Sequence, residues 1–296
     1  MRKIDLNEKY IINPVYKFRS DIKRVVLSNN NSLYVNNYDH LQEEFSKSFV
    51  SIIHPLVAYL FSFFDGKTIL KDTLKKLSKV LDMEEDKVLE TFKIYIYNED
   101  KVLYKISDKL CVPIPKNFII KKGNLSERNV LENIDIDEMM KNELDLATLR
   151  YYIPNEILLM ITNKCITDCV YCYANTKPKI RNPLNFERIT ELVKEAHSLG
   201  CRDFGLAGGE IFLYEKWDKL IELLHQYEYD PYISTKIPIT EKEIKRLKEL
   251  NVRRIQISLD TINPEILKKT LKVNLNYFEK IKHTLDLLKK MKLNSW

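Results

Sequence analysis

From residue 155 onward the chain alternates apolar strand-like runs with amphipathic helical stretches. No other feature of the sequence restricts the fold as much. "EILLMIT" is continuously apolar, and "FERITELVKEAHSL" spaces its apolar residues as a helix does. "DFGLA" reads as a short strand and "EKWDKLIELLHQY" as a helix; "PYIS" is again strand-like. "TEKEIKRLKEL" opens with a capping box, Thr240 and Glu243. "RRIQISL" is the fourth strand, and "NPEILKKTL" offers Asn263 as N-cap and Pro264 at the first helical position. A last helix covers residues 275–291. Strands and helices alternating in this way predict parallel βαβ units.

The preceding part has another texture. "YKFRSDIKRVVL", a turn at "SNNNS" and then "LYV" predict a hairpin. "HPLVAYLFSFF" is helical in pattern and stops at Asp65-Gly66. A second helix carries Leu70, Leu74, Leu77 and Leu81 on one face, and a third is expected from Glu84 to Tyr97. "KVLYKIS" closes the set as a short strand. These elements suggest a small winged-helix-like α+β domain over residues 1–115. The charged stretch 116–150 reads as a linker with one amphipathic helix, leaving 151–296 as the α/β domain.

In parallel α/β folds, ligands bind beyond the C-terminal ends of the strands. The first predicted strand runs into Cys165, Cys169 and Cys172; the second into Gly208-Gly209-Glu210. The third leads to Ser234, Thr235 and Lys236, and the fourth ends in Ser258-Leu259-Asp260. If the strands are parallel, all four segments face one crevice. Three thiols in one loop are one short of the usual complement for a 4Fe–4S cluster. The same thiols could instead hold zinc, completed by Cys201, Cys111 or a histidine. Glu210 can accept from an ammonium group, or simply face solvent. Asp260 can accept from ribose hydroxyls, or cap the next helix.

Composition narrows the setting. The chain has 296 residues, five cysteines and a formal net charge of +6. An odd, clustered cysteine count argues against a disulfide framework. No apolar run is long enough for a membrane helix, and "MRKIDLNEKY" lacks the apolar region of a secretory signal. A reducing cytoplasm is the expected compartment.

"CITDCVYC", with Tyr171 as its aromatic, "GGE" and "ISLD" together resemble the radical S-adenosylmethionine (radical SAM) superfamily over about residues 155–296. The resemblance implies a partial (β/α) barrel of four βα units. It implies a 4Fe–4S cluster on Cys165, Cys169 and Cys172, with S-adenosylmethionine chelating the remaining iron. It places Tyr171 near the adenine. Gly208, Gly209 and Glu210 would hold the methionine amino group. Ser258 and Asp260 would lie toward the carboxylate or ribose, with Ser234 and Lys236 also at the cofactor. An external electron donor and a 5′-deoxyadenosyl radical follow from the same resemblance. It assigns no residue to the substrate chemistry.

The first domain resembles the winged-helix element fused to enzymes that mature ribosomally made peptides. That implies a peptide maturase whose leader peptide adds as a strand to a sheet edge. A DNA-binding regulator is the competing reading, but a third helix bearing Glu84, Glu85, Asp86 and Glu90 is poorly suited to phosphates. A radical enzyme acting on a non-peptide substrate is a further alternative. Ile211 stands where the family often has proline, and Lys272 is a weak substitute for a downstream arginine. Two barrel strands and the cysteine-rich extension for auxiliary clusters are expected to be absent, so a partner could supply the missing barrel half. Cys111 and Cys201 are expected to be structural.

Overall fold

The computed structural model describes residues 3–29, 49–107, 110–173, 184–252 and 254–295. The chain divides into two compact units: Met1–Asn155 with Ser198–Arg202, and Glu156–His197 with Asp203–Trp296.

The first unit begins with β1 (Lys9–Ile12), β2 (Tyr16–Ser20), β3 (Val25–Asn29) and β4 (Val50–Ile53). The predicted hairpin forms one turn earlier than expected. β2 pairs antiparallel with β3 across Asp21–Arg24, and β4 adds to β3. The turn closes there because Arg24 donates to the Asp21 carboxylate at 2.8 Å and Ile22 adopts φ +59°. "LYV" lies outside the described residues.

α1 (Pro55–Ser62) follows, its N-terminus capped by the His54 ring; then come β5 (Asp65–Ile69) and α2 (Leu70–Leu81). α2 buries Leu70, Leu74 and Leu77, as its spacing predicts. α3 spans Glu85–Lys93, four residues short of the predicted end. Beyond it the backbone abandons helical bonding for the strand at Ile119: the Ile119 N–H donates to Tyr95 and the Tyr97 N–H to Ile119. Tyr95 and Ile96 thereby enter the core rather than a helix face. The core is aromatic at its centre, where Phe61 packs edge-on against Phe118 at 4.9 Å and Tyr95 at 5.2 Å.

β6 (Val102–Ser107) and β7 (Leu110–Ile114) form a second hairpin, and β8 (Ile119–Lys121) completes a three-stranded sheet in the order β5-β1-β8. Cys111 is exposed on β7, so it has no packing role. The charged stretch 116–150 does not hang free. It contains α4 (Ile136–Met140), capped by Asp135, and contributes Val130 and Met139 to the core of the first unit.

The second unit supplies the alternating pattern. It comprises β9 (Glu156–Thr162), α5 (Phe186–Ser198, whose last residue groups with the first unit), β10 (Asp203–Gly208), α6 (Trp217–Gln226), β11 (Ser234–Thr235), α7 (Glu241–Glu249), β12 (Arg254–Ile257), α8 (Pro264–Leu271) and α9 (Tyr277–Lys290). β13 (Asn294–Ser295) is a fifth, short strand that the pattern did not reveal. Every pairing is parallel, but among the described residues the strands form two sheets, β9-β10 and β11-β12-β13, rather than one. β11 has only two residues, so of the expected strand over 231–234 only Ser234 lies within it, although the Ile233 carbonyl also accepts from the Gln256 N–H. The Thr240 capping box and the Asn263 N-cap form as predicted. No described helix is long and apolar enough to cross a membrane.

Candidate active site

The cysteine loop leaves β9 and is held by the end of α8. The last carbonyls of a helix lack intrahelical donors. Here the Asp168 N–H donates to Leu271 and the Val170 N–H to Thr270, each at 2.9 Å. These two bonds flank Cys169. None of the three cysteines is in a disulfide; Cys165 and Cys169 are half-buried and Cys172 is exposed. The buried Thr167 hydroxyl lies 3.1 Å from the Cys165 sulfur and 3.4 Å from that of Cys169. Among the described residues no three His, Cys, Asp or Glu side chains are arranged to hold a single ion. Three thiols in one cavity lining can each serve a separate iron of a cluster.

The glycine pair explains how the loop is seated. Gly208 adopts φ +112°, and a Cβ there would strike the Thr162 carbonyl; a Cβ on Gly209 would strike that of Lys164. Backbone bonds occupy the same space: Gly209 N–H to Thr162 at 2.6 Å and Glu210 N–H to Lys164 at 2.8 Å. Both glycines are therefore required by the approach of the chain's own backbone, whatever else they meet. Their contact fixes the start of the cysteine loop against the exit of β10.

Glu210, next in sequence, is only 5% exposed. Its carboxylate accepts the Thr235 hydroxyl at 2.6 Å and the Lys236 backbone N–H at 2.9 Å. It thus spans the gap between β10 and β11, which share no ladder bond among the described residues. It has no ion pair among the described residues. Burial pushes its carboxyl above the ordinary range; the two hydrogen bonds and the Lys236 charge pull the other way without cancelling it. A buried carboxylate in this state favours the arrival of a cation.

Three further side chains cross the mouth of the site. Lys236 pairs with Asp260 at 2.9 Å, and the Tyr171 hydroxyl donates to the other Asp260 oxygen. The Lys236 ammonium also stands 5.6 Å from the centre of the Tyr171 ring. Burial raises the Asp260 carboxyl, but the bonds from Tyr171 and Lys236 outweigh it and hold it below the ordinary value. Tyr171 is shifted upward by burial first and by that same carboxylate second. The buried Tyr277 hydroxyl donates to the Lys236 carbonyl, fixing the chain where the lysine departs. On the other wall Ser234 and Ser258 lie 3.0 Å apart.

All of this encloses one cavity of about 340 Å³. Its lining includes the three cysteines, Tyr171, the Gly208–Glu210 segment, Ser234, Lys236 and Ser258. The four segments expected at the strand ends do converge. Asp260 is the one predicted residue outside the lining; it acts on the cavity through Lys236 and Tyr171.

Residues 159–296 match the model of the radical SAM superfamily. The second unit is a radical SAM domain. The GTP 3′,8-cyclase of Nautilia profundicola is 30% identical over 119 residues, 38% of this chain and 37% of that protein. The one from Aquifex aeolicus is 31% identical over 147 residues, 46% of each chain. The chain thus spans less than half the length of these relatives. Among solved structures, Streptococcus suis SuiB bound to its precursor peptide SuiA matches with a TM-score of 0.55 at 14% identity. That match covers 94% of this chain and 54% of SuiB, and shows a shared fold.

Radical SAM domains use a 4Fe–4S cluster and S-adenosylmethionine, and the residues of this cavity fit both. Three cysteines outside any disulfide supply sulfur donors, and Glu210, without an ion pair among the described residues, matches an ammonium group. Thr167 and Tyr277 are site residues that sequence reasoning missed. Thr235 adjoins the predicted Ser234 and Lys236, so its position was visible, though its bond to Glu210 was not. Nothing in the sequence marks Tyr277, which reaches the site from α9.

Proposed function

We propose that this chain is a radical SAM enzyme that modifies a ribosomally made precursor peptide. Cys165, Cys169 and Cys172 hold the cluster, and Glu210 receives the cofactor's ammonium group. Ser234, Ser258, Lys236 and Asp260 serve its carboxylate and ribose, and Tyr171 its adenine. When bound, this pair supplies reductive cleavage of the sulfonium and a radical that abstracts a substrate hydrogen, with electrons from an external donor. The chain's own residues do the positioning. The α8 carbonyls and the glycine pair fix the loop, Thr235 orients Glu210, and the Tyr171–Asp260–Lys236 link braces one side of the cavity mouth.

The observation that carries this reading is the meeting of three cysteines outside any disulfide and a buried carboxylate without an ion pair among the described residues, in one cavity beyond parallel strands. The peptide substrate is supported by charge. Among the described lining residues Lys236 is the one cation, and Asp260 already pairs it. A triphosphate would meet little to neutralise it, whereas a peptide needs no such cluster. The likeness to SuiB also extends over nearly the whole chain, whereas the cyclase relatives match less than half of it. In the first unit, small antiparallel sheets offer edges for a leader peptide. On α3, Lys87 pairs with Glu84 and Lys93 with Glu90, so the face a DNA-binding helix would need is acidic or neutralised.

The names of the relatives favour a second reading, in which the substrate is a nucleotide such as GTP. One experiment separates the two. The anaerobically reconstituted chain is given S-adenosylmethionine and a reductant, with either a precursor peptide or GTP, and 5′-deoxyadenosine is counted. Stimulation by peptide alone supports the proposal; stimulation by GTP alone overturns it.

A further inference from the structure

The Thr167 side chain lies between two of the three loop cysteines. Its hydroxyl is 3.1 Å from the Cys165 sulfur and 3.4 Å from that of Cys169. The residue lines the cavity yet is only 6% exposed. Among the described residues those two sulfurs are the hydrogen-bond partners of the hydroxyl. The backbone holds it in place, since Asp168 and Val170 are bound to the α8 carbonyls of Leu271 and Thr270. On a fixed backbone a β-branched side chain has few rotamers open to it.

Proton accounting gives these contacts one direction once the cysteines are ligands. A protonated thiol donates to a hydroxyl or accepts from it. A thiol that ligates a metal has lost its proton and is left with lone pairs alone. The hydroxyl carries one proton. With Cys165 and Cys169 on iron, Thr167 is therefore the donor, and a ligating sulfur is the acceptor. Tyr171 also neighbours Cys169, but its hydroxyl proton goes to Asp260. A hydrogen bond to a ligating sulfur draws charge from it, and burial strengthens such a bond. The bond gains strength as the sulfur becomes richer in electrons, so it favours the reduced state.

We propose that Thr167 is a positioning residue that acts through Cys165 and Cys169: its hydroxyl donates to a ligating sulfur and raises the potential at which the site takes up an electron. This rests on the cluster reading above. One electron enters from the external donor, a one-electron carrier; no covalent bond breaks, and Thr167 keeps its proton.

The test uses the full chain, reconstituted anaerobically with iron and sulfide. Electron paramagnetic resonance reads the midpoint potential during stepwise reduction with titanium(III) citrate. S-adenosylmethionine is left out, so activity does not enter. Only chains that carry reduced cluster give the signal, so a partly loaded variant is still read correctly. Thr167→Val keeps the shape and removes the donor. Its midpoint should fall by about 60 mV, a tenfold shift in the one-electron equilibrium. Thr167→Ala should fall likewise. Thr167→Ser keeps the hydroxyl and should hold the wild-type midpoint, which a role for the threonine methyl alone would not allow. An unchanged or higher midpoint without the hydroxyl would overturn the inference and leave the cluster reading intact. A Thr167→Ser midpoint as low as that of Thr167→Val would do the same. Loss of all iron from both hydroxyl-free variants would also overturn it, giving Thr167 a part in assembly instead. A wild-type chain that binds no iron would overturn the cluster reading itself, and the inference with it.

Discussion

Glu210 accepts the hydroxyl proton of Thr235 at 2.6 Å across two parallel sheets that share no ladder bond among the described residues. One carboxylate thus ties β10 to β11 and makes no ion pair among the described residues. A group held this way has two measurable consequences.

The first concerns binding. Glu210→Gln keeps the shape and can still accept from Thr235, but loses the charge. A charge-assisted hydrogen bond contributes about 1.5–3 kcal/mol. Cofactor affinity should therefore fall about tenfold to a hundredfold with iron content unchanged, as read by equilibrium dialysis of the reconstituted protein. Equal affinity would remove Glu210 from the ammonium site.

The second concerns pH. The Glu210 carboxyl is raised above its reference of 4.5 by burial. A carboxyl with a raised folded-state value binds its proton more tightly when folded, so its contribution to stability is greatest in acid. That contribution is lost as pH rises through the raised value. Apo protein should therefore become less stable relative to Glu210→Gln as pH increases from about 4.5. Denaturation midpoints of the two proteins across pH 4–8 check the sign. Cofactor affinity should run the opposite way, weakening as acid protonates Glu210.

The thiol assignment is tested by colour and iron. Replacing Cys165, Cys169 and Cys172 together with alanine should abolish the brown chromophore and the roughly four irons per chain expected after anaerobic reconstitution. Cys201→Ser should keep both, since Cys201 is buried with its thiol shifted upward by burial, and it lies outside the cavity lining. Full iron in the triple variant would refute the cluster site.

Gly209 tests the clasp. Any side chain there meets the Lys164 carbonyl, a backbone atom that cannot swing aside. Gly209→Ala should cost at least about 2 kcal/mol and disturb the cysteine loop. Chemical denaturation should show the loss, and reconstituted iron should fall although every cysteine is present. A variant with wild-type stability and iron would mean that the loop seats itself by other contacts.

These residues also show what sequence can and cannot reveal. The four chemically marked segments were legible because each follows an apolar strand, and parallel topology brings all strand ends to one side. The capping residues Thr240 and Asn263 were legible because capping is local. The hairpin at Asp21–Arg24 was not. Its turn has no glycine, and the asparagine-rich run nearby gave the louder signal. The placement of 116–150 was hidden for a related reason. Val130 and Met139 are isolated apolar residues in charged surroundings, and isolated anchors leave no periodicity. The Tyr277 contact depends on how α9 packs, which no local pattern encodes.

Arg24 gives the most direct test of that hidden packing. It is fully buried and donates to Asp21, while its other nitrogens reach the carbonyls of Asp145, Thr148 and Arg150. Asp21 in turn accepts the backbone N–H groups of Tyr152 and Ile153, each at 2.8 Å. A single charged pair thus binds residues 145–153 to the β2–β3 turn, ending three residues before β9 begins. Removing one partner of a buried pair leaves an uncompensated charge and costs about 3–5 kcal/mol. Arg24→Leu should lower the denaturation midpoint accordingly, and trypsin should cut sooner at Arg150. Arg24→Leu combined with Asp21→Asn should recover part of the loss, because the amide oxygen can still accept from Tyr152 and Ile153 while the stranded charge is gone. If the double variant were as unstable as the sum of the two singles, the charge pair would not be what holds this segment, and the carbonyl bonds of Arg24 alone would account for it.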